Sequence, residues 1–252
     1  MLSFDLKDRI ALVTGASRGI GQAIAETLAD YGAEVILVSR KIENLEKAAG
    51  AIRNNNRKAR PLACNVGKTA EIEALFQTIH QEYGRLDILV NNAGANPHFG
   101  ELTTVDEGIW NKTMEINLKG PFFMMQKAVP LMQAAGKGAV VNVSSVSAVR
   151  PPIFQGMYAI TKGAMITMTQ AYAKELAPHN IRVNTLLPGL TDTKFASVLI
   201  HTEEIYKMAM DMIPMKRHAV PSEMAGAVLY LVSDAASFTT GTCLVCDGGF
   251  LA

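Results

Sequence analysis

Seven short runs rich in branched aliphatic residues recur along the chain, and the stretches between them have the period of a helix. The runs are IALVT (10–14), EVILVS (34–39), RPLAC (60–64), LDILVN (86–91), AVVNVS (139–144), RVNTLL (182–187) and CLVC (243–246). They are almost continuously apolar, as strands are when helices cover both faces of a sheet. IGQAIAETLADYG and TAEIEALFQTIHQEYG are amphipathic and stop at Gly32 and Gly84, residues suited to a helix C-terminus. Such alternation predicts the α/β class: a doubly wound parallel sheet with right-handed crossovers and helices on both faces. No linker, composition break or internal repeat divides the 252 residues, so one domain spanning 1–252 is expected.

Composition narrows the partners. Hydrophobic residues make up 49% and charged residues 19%, an ordinary balance for a chain with a substantial core. A net charge of +1 gives no bulk attraction to nucleic acid or to an acidic membrane. No run approaches the ~18 apolar residues that span a bilayer. The start, MLSFDLKDR, lacks the apolar core of a signal peptide, so a cytoplasmic protein is expected. Cys243 and Cys246 form a C-x-x-C, but residues three apart on a strand point to opposite faces. No further ligand motif accompanies them, so they are read as small core residues and no metal is expected.

TGASRGIG (14–21) stands between the first strand and the first helix. Its glycines allow a tight turn and close backbone approach, and the helix behind it offers free N–H groups to an anion. Gln22 follows Gly21 and no lysine is near, so this is not a nucleoside-triphosphate P-loop. Tyr158 and Lys162 are four residues apart in a helical stretch from about 155 to 177, which puts both on one face. A neighbouring ammonium stabilises a phenolate and is expected to draw the tyrosine pKa down from about 10.

TGASRGIG, NNAG (91–94), Asn117, a strand ending in VSS (143–145), Tyr158-x-x-x-Lys162, Pro188-Gly189 and DGG (247–249) occur in one order and spacing. Together they resemble the short-chain dehydrogenase/reductase family over essentially the whole chain. The resemblance implies a Rossmann-like fold and hydride exchange between a carbonyl and an alcohol. It assigns Tyr158 as general acid and base, and Lys162 as its partner and a ligand of the nicotinamide ribose. Ser145, thirteen residues before Tyr158, would hold the substrate oxygen, and Asn117 would anchor a water leading from Lys162 to solvent.

The same resemblance places the cofactor against Gly15, Ser17, Arg18, Gly19, Ile20 and Gly21, against Ser39 and Arg40, and against Asn65 and Val66. It continues along Asn92, Ala93 and Gly94 to Pro188, Gly189, Thr191 and Thr193. An acid closing the second strand would select NAD; here VSRK offers Ser39, Arg40 and Lys41, which suits the 2′-phosphate of NADP(H), with NAD(H) the alternative. Phe99, Phe154, Met157, Leu190 and Phe195 are expected to line an apolar substrate pocket, and residues around 190–214, rich in methionine, to form a lid. NAGANPHFG and LLPGLTDTKF look most like NADP-dependent carbonyl and retinal reductases, but the terminal GGFLA is not a peroxisomal signal. A 3-oxoacyl-thioester reductase, an NAD-linked alcohol or sugar dehydrogenase and a catalytically silent NADP(H) sensor are the alternatives; intact Ser145, Tyr158 and Lys162 count against the sensor. The family's usual assembly, a homotetramer, is expected.

Overall fold

A computed structural model describes residues 3–197, 200 and 202–252. The strands are β1 (Ile10–Thr14), β2 (Glu34–Ser39), β3 (Ala59–Ala63), β4 (Ile88–Asn91), β5 (Gly138–Val143), β6 (Ile181–Pro188) and β7 (Cys243–Cys246). All pair in parallel in the order β3-β2-β1-β4-β5-β6-β7. Between them run α1 (Gly19–Asp30), α2 (Ile42–Asn54), α3 (Thr69–Tyr83), α4 (Glu107–Met114), α5 (Gly120–Ala134), α6 (Gly156–Leu176), α7 (Glu203–Met212) and α8 (Pro221–Val232). The long middle strands are buried on both sides because successive residues serve opposite layers. Ala11 and Val13 pack with α1 and α8, whereas Leu12 packs with the layer of α3 and α5.

The third, fourth, fifth and sixth strands begin one or two residues away from the expected positions. Residues 86–87 precede β4, and the buried Asp87 carboxylate there accepts from the Ile10 N–H at 2.9 Å. α3 ends as its sequence implies, with Gly84 in the left-handed region at φ +65°. Cys243 and Cys246 depart from expectation: β7 is the sheet edge, and both thiols are half-buried rather than core.

Strand order reverses between β1 and β4, and the segments after β1, β4, β5 and β6 meet above that point, where open α/β sheets hold ligands. The base of this arrangement is the contact of α1 with α8, in which Leu28 is wholly buried. Leu28→Ala is expected to lower unfolding free energy by about 2–5 kcal/mol in denaturant titration, with kcat at low temperature unchanged.

Candidate active site

Thr14 ends β1 and organises the turn that follows. Its Oγ1 accepts from the backbone N–H groups of Asn92 (2.9 Å) and Ala93 (3.0 Å) and donates to Val90 O at 3.3 Å. In return Asn92 Nδ2 donates to Thr14 O at 2.9 Å and Gly15 O at 3.3 Å. Through its Nδ2, Asn92 therefore braces the loop after β4 against the end of β1. Gly15 and Gly19 take φ +66° and +59°, and a Cβ on Gly21 would lie 2.4 Å from Asn92 Nδ2 and from Gly15 O. Thr14 escaped the motif reading, since its partners lie on a strand 76 to 79 residues away.

Among the described residues no side chain caps the start of α1. Arg18 occupies the N-cap position without a side-chain cap, and the first turn has no acid. The free N–H groups and the helix dipole there suit an anion. Ser17 and Ile20 are half-buried beside the turn, and Ser39 half-buried at the end of β2. Arg18 and Arg40 are exposed, and among the described residues neither has an ion-pair partner. Asn65 Oδ1 accepts from Gly67 N at 3.1 Å, while its own N–H donates to Glu71 Oε2 at 2.8 Å. Its Nδ2 is the atom left for a ligand. Val66 is buried, its carbonyl pressed on Gly120.

The reactive groups lie on α6. Tyr158 is 8% exposed and Lys162 3%. Lys162 Nζ donates to Val143 O at 2.7 Å and stands 5.5 Å from the Tyr158 ring centroid. Ser144 Oγ donates to Lys162 O at 2.8 Å, clipping α6 to the end of β5. Ser145 Oγ donates to Ser147 Oγ and accepts from Ser147 N, both at 3.1 Å. Burial pushes the Tyr158 phenol up to about 12, against a smaller downward pull from its hydrogen bond with Ser145. Burial likewise lowers the Lys162 ammonium to about 8. The expected lowering of the tyrosine by its lysine neighbour is not seen: desolvation sets the direction of the shift.

Asn117 sits wholly buried in a π turn, Glu115–Lys119, joining α4 to α5. Its Oδ1 accepts from Ala95 N at 2.8 Å; its Nδ2 donates to Ala95 O at 2.8 Å and to Thr161 Oγ1 at 3.1 Å. Loop, π turn and α6 are held together by one amide. A Cβ on Gly94 would stand 3.7 Å from both Asn117 Oδ1 and Lys162 Nζ, so the NNAG backbone runs beside both.

After β6, Gly189 N donates to Cys246 O at 2.9 Å, and Thr191, buried, donates to Gly189 O at 3.1 Å. Thr193 crosses back so that its methyl lies 3.2 Å from a Cβ built on Gly19. Leu190 is half-buried, and the exposed Phe195 ring lies 5.6 Å from that of Tyr158. Phe99 and Phe154 pair at 6.0 Å, both partly exposed, with Phe154 in the left-handed region at φ +67°. Met157, two residues before Ala159 on α6, faces a different space. It is buried, and lines a groove of about 370 Å³ between α4 and α6 with Leu102, Trp110 and Ile160. His98 is tied to Thr104 Oγ1 at 2.9 Å. Of the segment 190–214, Val198, Leu199 and His201 lie outside the described residues; α7 lies within it.

Among the described residues no group of three His, Cys, Asp or Glu side chains is placed to hold a metal, and no helix is long and apolar enough to cross a membrane. A family model described as enoyl-(acyl carrier protein) reductase matches residues 15–251. The human protein named dehydrogenase/reductase SDR family member 4 is 40% identical over 97% of this chain and 88% of its own. Tropinone reductase-like 3 of Erythroxylum coca is 34% identical over 99% and 95%. A gluconate 5-dehydrogenase from Burkholderia cenocepacia, solved with NADP and tartrate, superposes with a TM-score of 0.95 at 31% identity, covering 98% of this chain and 97% of that one.

The buried ammonium carries a stability signature. Between pH about 8 and 10.5 the unfolded chain holds a proton that folded Lys162 has lost, so this group contributes a rise in stability with pH across that window of roughly 3 kcal/mol, opposed from about pH 9 by the buried Cys64 thiol, pushed up to about 12. Lys162→Met should flatten this rise and give a higher melting temperature at pH 7, read by denaturant titration and calorimetry across pH; a parallel pH profile in the variant would contradict the assignment.

Proposed function

The chain belongs to the short-chain dehydrogenase/reductase family, oxidoreductases that act on CH–OH groups, and on that premise we propose that it interconverts a ketone or aldehyde and an alcohol using NADP(H). The observation that carries this reading is the pairing of a phenol and an ammonium, both nearly out of water, in a fold whose α1 starts without a side-chain cap and whose exposed Arg18 and Arg40 have no ion-pair partner among the described residues. The nicotinamide nucleotide, when bound, supplies or accepts the hydride.

The residues fit that group. Gly15, Ser17, Gly19, Ile20 and Gly21 would receive the pyrophosphate at the start of α1, and Arg18 with Ser39 and Arg40 the 2′-phosphate. Asn65 Nδ2 and Val66 would meet the adenine; the backbone of Asn92, Ala93 and Gly94 would follow the adenosine side. Lys162 would hold the ribose, and Pro188, Gly189, Thr191 and Thr193 the carboxamide. NADP in the gluconate 5-dehydrogenase relative supports this over NAD(H).

A substrate carbonyl oxygen would lie between the Tyr158 and Ser145 hydroxyls. With its pKa near 12 the phenol is protonated at neutral pH, so it enters reduction as the proton donor. Lys162, charged below about 8, stabilises the phenolate that the transfer leaves behind. Asn117 keeps the π turn and α6 in register and would anchor the water that links Lys162 to solvent. Phe99, Phe154, Leu190 and Phe195 would face the substrate under the lid, with Met157 supporting α6 from the groove side. The partner is a small carbonyl or alcohol, not nucleic acid or membrane, in a cytoplasmic homotetramer. Exposed Trp110, Phe122 and Ile160 on the α4–α6 face, and Phe238 and Val245 around β7, supply apolar surface for such contacts.

Tyr158→Phe should abolish turnover and leave NADPH affinity within about twofold in fluorescence titration; equal loss of both would refute the assignment. Arg18→Ala with Arg40→Ala should weaken NADPH binding about 10- to 100-fold and barely change NADH, reversing the preference for the phosphorylated cofactor. NADPH oxidation measured over ketones, aldehydes, 3-oxoacyl thioesters and keto-gluconates then separates the carbonyl reductase from the thioester and sugar readings, the latter favoured by the gluconate 5-dehydrogenase likeness. Tight NADPH binding with silence on every substrate would favour the sensor.

A further inference from the structure

Residues 190–219 leave the body as a single excursion whose two ends are zipped together: Ala219 N donates to Leu190 O at 2.9 Å and Asp192 N to Ala219 O at 2.8 Å. Its helix, α7, has no fully buried residue; Ile205, Tyr206, Ala209 and Met210 form a half-buried stripe, so its own packing holds it only weakly. Tyr206 meets His218 at 3.0 Å, and Lys216 Nζ donates to Met210 O and Asp211 O at 3.2 Å, but these contacts stay within the excursion. Thr193 and Phe195 touch the body near the start of the excursion, and a further tie lies at its exit. Met215 N donates to Gly248 O at 3.1 Å, and Ile213, buried, packs against the same glycine.

Residues 247–252 are folded to make that tie. The Asp247 carboxylate accepts from Gly249 N at 2.8 Å and Leu251 N at 2.9 Å, and Gly248 and Gly249 take φ +65° and +92°. A Cβ on Gly249 would come within 2.9 Å of Pro214 Cγ, and one on Gly189 within 2.7 Å of Asp247 Cα. On its far side the turn reaches the loop that carries Ser145: the Arg150 guanidinium lies 5.1 Å from the Phe250 ring centroid, and its Nη1 donates to Phe250 O at 3.5 Å. One six-residue turn thus touches the segment after β6, the exit of α7 and the loop after β5.

We propose that residues 247–252 are a clasp that sets the spacing of these three segments, with Arg150 and Phe250 as positioning residues for substrate selection. Neither touches a reacting atom. Losing the stacked cation frees the turn, and α7 then samples more open positions, which weakens substrate capture more than it weakens a cofactor held mainly at the start of α1. A single exposed cation–π contact corresponds to an effect of about three- to fivefold.

The test has two arms on the full chain. In the first, amide hydrogen exchange of residues 203–215 is compared in wild type, Arg150→Ala, Phe250→Ala, the double variant and Arg150→Lys. Exchange should quicken about three- to fivefold in both alanine variants, no further in the double, and return toward wild type with lysine. This arm needs no substrate, so it stands or falls apart from the oxidoreductase reading on which the second rests. In the second, KM for a carbonyl substrate should rise by a similar factor while kcat and NADPH affinity hold. Additive effects in the double variant, unchanged exchange, or loss of NADPH affinity in step with KM would overturn the clasp.

Discussion

The ammonium of Lys162 has little access to water, and much of the surrounding architecture serves to keep it there. Its one direct hydrogen bond is to the Val143 carbonyl at the tip of β5. An unpaired buried charge is costly, so the helix carrying it must be fixed by other means. Ser144 ties α6 to the strand through the Lys162 carbonyl, and Asn117 reaches α6 through Thr161. Tyr158, one turn earlier, shares the dry environment, and the two groups shift in opposite directions for the same reason: both are held toward neutrality. A site prepared in this way answers strongly to any charge brought close to it.

The second organising device is the hydroxyl of Thr14, which makes the end of β1 and the loop after β4 into one piece. β1 and β4 are neighbours because the order of the parallel strands reverses at that point. The glycine turn and the loop that runs beside Lys162 are therefore rigidly related, although they are far apart in the chain.

This distinction governs how much could be read from residues alone. The bounds of β1, β2 and β7, the glycine turn and the long helix of Tyr158 and Lys162 are local matters of period, propensity and spacing, and they stand where the sequence places them. The Thr14 brace, the reach of Asn117 to Ala95 and Thr161, and the groove position of Met157 depend on which elements become neighbours. No window of sequence carries that information. The order of the two pKa values was likewise hidden, because charge proximity is visible as i, i+4 spacing whereas desolvation belongs to the assembled core. Asn92 illustrates both cases: the motif located it, and only the structure shows its Nδ2 bonded to the backbone at the end of β1.

The π turn at Glu115–Lys119 has a consequence for how this chain tolerates change in length. An α-helix advances about 100° per residue, so one residue accommodated in a wide turn offsets the phase of α5 against α4 by that angle. Met124 and Met125 of α5 face the core only with this offset in place. Deleting a single residue here would remove the offset together with the residue that needs it, so the helix would run on regularly with the α5 stripe still on the sheet, but the wide turn that carries Asn117 would close. The extra residue therefore serves the buried amide rather than the packing of the helix, and the span from Glu107 to Ala134 would keep its fold after losing it while losing the link from the Ala95 loop to α6.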